Sequence, residues 1–302
     1  MFTLIDTFPA FLTYWAEAGR KPLDDQLDGW AAVYMSQWPE LLAMQIGDYA
    51  AQNLDWREVA RLKVFPFLAG RLPAMQAAHQ NLLENCCPIL NKTRQVLGFD
   101  EAVTFVIYVG IGLGAGWATT LGGSPAVLFG LEAIAECDWS DPAAIAGLIA
   151  HELGHLVHYS WRHRHGKPIG SDSWWQLYEE GFAQTCESRI LDTEIGHQSR
   201  SNQAGDWLVW CREHAARLAA EFLRTVDAGS PVTVFFGSWY EICGRSETGY
   251  FLGHEVIKEL EKQSALHEVA LLENVESAVR PILENLVKRG DDNNNEKEAG
   301  NE

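Results

Sequence analysis

With 302 residues, 47% of them hydrophobic and 21% charged, the chain has the composition of a globular protein with room for one large or two modest domains. A formal charge of −18, from 23 basic and 41 acidic side chains, argues against nucleic acid or an anionic membrane as partner, because either would be repelled. No apolar run reaches the roughly 18 residues of a membrane span, and the start, MFTLIDTFPAFLTYWAEAGR, lacks the basic and continuous apolar regions of an export signal. These features predict a cytoplasmic protein whose six cysteines, without C-x-x-C spacing, are reduced thiols.

From residue 1 to 97 the three-to-four spacing of apolar residues predicts helices throughout: Gln26 to Met35, Trp38 to Ala51, Trp56 to Phe67 and Ala74 to Leu97. Pro39, Pro66, Pro73 and Pro88 are expected as interruptions, and Trp15, Trp30, Tyr34, Trp38, Tyr49 and Trp56 as packing residues. The pattern changes at Gly98. Val103 to Val109, VTFVIYV, reads as a buried strand and Ala126 to Leu131 as a second. The glycine-rich stretch between them has no Lys-Ser/Thr of a phosphate loop, and a tight hairpin is the expectation there.

The next segment carries the chemistry. Asp141 is a suitable N-cap, Pro142 suits the first helical position, and Gly166 is a C-terminal stop. Ile145, Ile149 and Leu156 form an apolar face. Within this helix stands His151-Glu152-Leu153-Gly154-His155. At 3.6 residues per turn, histidines at i and i+4 share one face and can hold one zinc ion, while Glu152 stands beside them as a general base.

Two histidines do not complete a zinc site, so a third ligand is required. The metzincin pattern needs glycine at 158 and histidine at 161, where this chain has His158 and Trp161. A further helix, capped by Ser171 or Asp172 and running to Leu191, contains Glu179 and Glu180. Either carboxylate, on a helix packed across the first, would complete a two-histidine, one-glutamate set with an open fourth position. Beyond it, Trp207 to Val226 and Gly249 to Leu260 read as amphipathic helices, and the polar stretch 290–302 as a disordered acidic tail.

The combination HELGH plus Tyr178-Glu179-Glu180-Gly181-Phe182-Ala183 resembles the gluzincins, whose third ligand is a glutamate about two dozen residues after the second histidine. The local string looks like the N-E-G-F-A string of aminopeptidase N-like enzymes, which implies Glu180 as the ligand. With the strand pair and Gly249-Tyr250-Phe251-Leu252-Gly253, the stretch from about 100 to 262 resembles the YjaZ-like family of predicted zinc-dependent proteases. The resemblance implies an α+β, mostly helical fold: a helical N-terminal region (1–97), a zincin-like catalytic domain (98–289) with a small sheet and an HExxH helix, then the tail.

It further implies a zinc-dependent peptidase acting on a peptide or protein, with Glu152 as base and Tyr250 as donor to the oxyanion, His254 and Arg245 standing in reserve. In thermolysin-like members an aspartate four residues after the glutamate ligand orients a zinc histidine; here that position is Gln184, with Glu187 one turn further along. The alternatives are a non-catalytic metal-containing module and a hydrolase of non-peptide amides.

Overall fold

The computed structural model describes residues 2–194, 196–200 and 206–299. The described residues are mostly helical, with one mixed four-stranded sheet, and no helix among them is long and apolar enough to cross a membrane. They divide into two compact units, one ending at Glu152 and the other beginning at Leu153. Helix α7 (Pro142–Arg164) runs unbroken through that boundary.

The first unit contains β1 (Phe2–Asp6), α1 (Phe8–Ala18), α2 (Leu23–Gly29), α3 (Pro39–Ala51), α4 (Trp56–Val59), α5 (Phe65–Leu97), β2 (Val103–Tyr108), β3 (Gly116–Leu121), β4 (Ser124–Gly130) and α6 (Leu131–Glu136). The sheet order is β1-β2-β4-β3. β1 corrects the all-helical reading of residues 1–97: it pairs in parallel with β2, Phe2 opposite Val103. That pairing ties the first residues to the sheet, and the helical region and the strands fall within the one unit that runs to Glu152.

Buried aromatics fasten the helical region to the segment following β2. Trp30 Nε1 donates to Val109 O (2.9 Å), Tyr49 OH to Ile111 O (2.8 Å), and Val109 N donates to Tyr34 OH (3.0 Å). α5 passes through Pro73 and Pro88 as a single helix. Each proline removes one backbone hydrogen bond, but Leu68, Met75, Leu82 and Ile89, seven residues apart, are all buried, and this continuous stripe offsets the loss. The glycine stretch contains a strand that its composition conceals: β3 pairs antiparallel with β4. Their two-residue turn, Gly122–Gly123, has φ of 57° and 76°, the positive values that a type I′ hairpin requires.

The second unit takes up the later part of α7, then α8 (Ser173–Leu191), α9 (Trp207–Glu213), α10 (Ala215–Asp227), α11 (Thr248–Leu260), α12 (Leu266–Val269) and α13 (Val275–Ala299). α8 and α11 cross at glycine: a Cβ on Gly181 would stand 2.2 Å from the Gly253 backbone, and one on Gly253 would stand 2.4 Å from Leu177 O. Buried Arg162 staples α7 to the turn after α12, donating to Ala270 O (2.8 Å) and Leu272 O (2.9 Å).

The expected helix Trp207 to Val226 is broken at His214, whose ring stacks on Trp210 and whose Nδ1 donates to Trp210 O (2.8 Å). A side chain folding back on a carbonyl competes with continuation of the helix. α13 continues through Ala299, into the stretch whose composition reads as a tail, because a helix already nucleated propagates at low cost per residue; residues 300–302 lie outside the described residues.

Candidate metal centre

α7 forms where its sequence signals place it. Asp141 Oδ1 accepts from Ala143 N (2.9 Å) and Ala144 N (3.2 Å), and Gly166 ends the helix at φ 63°. Ile145, Ile149 and Leu156 are buried. α8 starts on Asp172, which accepts from Trp175 N (2.7 Å). The two helices come close at Gly154, where a Cβ would stand 2.8 Å from Cys186 Cβ and 3.0 Å from the Ala183 backbone. Glycine inside the HELGH string therefore permits the approach that brings Glu180 to the histidines.

One ligand atom from each of His151, His155 and Glu180 lies within 4.8 Å of the others, and His155 Nε2 is 3.3 Å from Glu180 Oε2. Both histidines are buried and Glu180 is partly so. Two imidazoles and one carboxylate brought this close are a donor set that could hold a metal ion. Glu179 faces elsewhere: its Oε2 accepts from Trp175 Nε1 (2.6 Å) and Tyr159 OH (3.4 Å). Burial foremost, and then the charge of Glu180, push its carboxyl up to about 7, against the lowering effects of His155, Trp175 and Tyr159.

Glu152 is buried and rests against β3. A Cβ on Gly116 would stand 2.3 Å from Glu152 Oε1 and 2.7 Å from its Cγ and Cδ. β3 is the last strand of the sheet order, so Glu152 lies beside an edge. The Gly110–Gly114 stretch leading into β3 is fixed by fully buried Glu132, whose Oε2 accepts from Gly110 N (2.7 Å) and Oε1 from Gly112 N (3.2 Å). Burial, partly opposed by these backbone bonds, pushes that carboxyl up to about 7.

Tyr250 stands on α11 with its ring edge-on to Phe236 (5.5 Å) and to His197 (6.4 Å). The reserve donors are engaged: His254 Nδ1 lies 3.2 Å from Thr185 Oγ1, and Arg245 pairs with Asp206 (2.8 Å). His158, one turn beyond His155, is enclosed by Trp175, Tyr178 and Phe182. Burial, aided by Arg162 and His155, holds its pKa well below the ordinary value, so it is a neutral core imidazole.

Neither a protein-family model, nor a curated protein, nor a solved structure matches this chain.

The residue that sequence reasoning missed is His197. With Glu187 and His151 it forms a second buried group whose ligand atoms lie within 4.8 Å of one another. His197 sits in a short 3-10 turn after α8, ten residues from Glu187, with no periodic pattern around it to mark it.

Proposed function

We propose that the chain is a zinc-dependent peptidase of gluzincin type, resembling the YjaZ-like family, in which His151, His155 and Glu180 hold the ion. The observation that carries this reading is the convergence of those three side chains, with Glu152 immediately beside them in sequence and held against an edge strand. When bound, zinc supplies Lewis acidity and lowers the pKa of a ligated water to about 7.

The chain's own groups then have definite work. Glu152 accepts a proton from the attacking water and passes it to the leaving amine nitrogen. Tyr250, on the helix crossing α8, is the candidate donor to the oxyanion, a contribution of order 3 kcal/mol where one such donor is removed. Support for a peptide over a compact amide comes from β3: an extended chain can add to an exposed sheet edge through main-chain hydrogen bonds, which would lay its carbonyls alongside Glu152.

The test is cleavage of a proteome-derived peptide library by zinc-loaded protein, with His155→Ala as the control. Turnover by wild type and none by His155→Ala is expected; equal turnover by both removes the metal from the chemistry.

A further inference from the structure

The stretch 109–115, between β2 and β3, lies in no helix or strand. A segment of that kind ordinarily runs over the surface and bonds to water, yet Val109, Gly110, Ile111 and Ala115 are buried, so their backbone groups need other partners. Side chains supply most of them. Val109 N donates to Tyr34 OH, Val109 O accepts from Trp30 Nε1, and Ile111 O accepts from Tyr49 OH. Gly110 N and Gly112 N both donate to the Glu132 carboxylate, and Ala115 O accepts from Gly130 N (3.1 Å).

A wholly buried carboxylate is a costly way to satisfy two amides. What Glu132 provides over a neutral acceptor is two oxygens on one side chain, one for each of two alternate N–H groups, which fixes the direction of the chain between them as well as its place. The direction matters because this segment delivers β3. Gly116, the first residue of that strand, pairs with Phe129, and the space beside its Cα is filled by the Glu152 carboxylate. Glu152 therefore rests on backbone whose place is set, through 109–115, by Glu132.

We infer that Glu132, at the start of α6, is a positioning residue for the base: through 109–115 it fixes Gly116, and Gly116 fixes the Glu152 carboxylate and the edge strand beside it. The same role extends to the helical N-terminal region, since Trp30, Tyr34 and Tyr49 grip the same segment. It rests on the peptidase reading above.

The experiment has two arms. Hydrogen–deuterium exchange on the metal-free protein follows peptides covering 109–116 in wild type, Glu132→Ala, Glu132→Gln and Tyr49→Phe, with Leu68→Ala as a control destabilised in the buried stripe of α5. Exchange there should quicken about tenfold in Glu132→Ala, the scale of a lost hydrogen bond, and by less in Glu132→Gln and Tyr49→Phe, which leave part of the grip in place; Leu68→Ala should not single out this segment. The second arm measures zinc affinity by chelator competition, and kcat and KM on a peptide that wild type cleaves. In Glu132→Gln zinc affinity should stay within about threefold of wild type, against the 10- to 100-fold loss expected had the residue supported a ligand. Its kcat should fall by about 10- to 100-fold, the scale of a reacting group misplaced by about 1 Å, with KM changed less, while Leu68→Ala keeps the wild-type kcat. In a Glu152→Gln background the same substitution should cost less than about twofold, because no base is left to misplace. If Glu132→Ala does not fold, Glu132→Gln and Tyr49→Phe carry both arms. Wild-type exchange across 109–116 in the Glu132 variants overturns the inference, as does a fall in kcat that is equally large with and without Glu152. Loss of zinc in Glu132→Gln also overturns it, by making the role one of ligand support. These outcomes leave the peptidase reading standing, whereas no turnover by zinc-loaded wild type sinks that reading and this inference with it.

Discussion

Gly181→Ala is the substitution whose cost the structure specifies most closely. The added Cβ would stand 2.2 Å from both C and O of Gly253, about 1.2 Å short of ordinary contact. Both neighbours are backbone, so no side chain can swing aside and α8 and α11 must separate. Overpacking typically costs about 1–3 kcal/mol, and a clash confined to backbone belongs at the upper end. Against that, alanine gains about 1 kcal/mol over glycine in a helix. The net expectation is roughly 2 kcal/mol of destabilisation, which in a unit of this size lowers the unfolding midpoint by about 4–8 °C.

Gly47→Ala and Gly70→Ala are the controls: both lie inside helices with nothing within 4 Å of the new Cβ. They should raise stability by up to about 1 kcal/mol. Scanning calorimetry of the three variants is the assay. A Gly181→Ala midpoint within about 1 °C of wild type would refute the reasoning, because it would mean that the helices do not meet at this glycine pair.

Gly116→Ala should leave zinc binding unchanged and lower hydrolysis at least tenfold, since its Cβ takes the space of the Glu152 carboxylate; loss of zinc instead would mean the strand supports the ligands. Glu180→Ala should weaken zinc by at least two orders of magnitude, while Glu179→Ala should shift it less than tenfold, measured by the same chelator competition; the reverse order would exchange their roles. Glu247, buried at φ 60°, has its carboxyl pushed by burial from 4.5 up to about 8. The folded state therefore keeps a proton that the unfolded chain loses between those values, and stability falls as pH rises through that window and levels off above it. Glu247→Gln should match wild type near pH 4 and exceed it above pH 8, by a few kcal/mol and at most about 5, in urea unfolding followed by tryptophan fluorescence; a gap that does not widen with pH contradicts the assignment.

The parts legible in the sequence are those fixed by local rules. Asp141, Pro142 and Gly166 delimit α7, Asp172 opens α8, and the continuous β-branched and aromatic run VTFVIYV marks β2, because caps and short apolar runs act over a few residues. What was hidden depends on distant partners. Phe2–Asp6 is a strand only because Val103–Ile107 lies beside it, and Gly116–Leu121 only because β4 folds back on it. Pro73 and Pro88 looked like breaks because the packing that overrides them lies outside the local string. At the site, the histidine pair and the alternative carboxylates could be read from spacing, but the difference between Glu179 and Glu180 lies in their contacts, Glu179 accepting from Trp175 and Tyr159 while Glu180 approaches His155. Glu187 and His197 become partners only once the turn after α8 folds back and lets His197 reach that helix.

The most direct measurement of the central claim pairs metal content with turnover in Glu152→Gln. The geometry predicts that this variant holds about one zinc per chain, as wild type does, yet cleaves a peptide library at least a hundredfold more slowly, because a proton acceptor has been removed and the ligands have not. Cleavage by Glu152→Gln at the wild-type rate, with zinc bound, would contradict it.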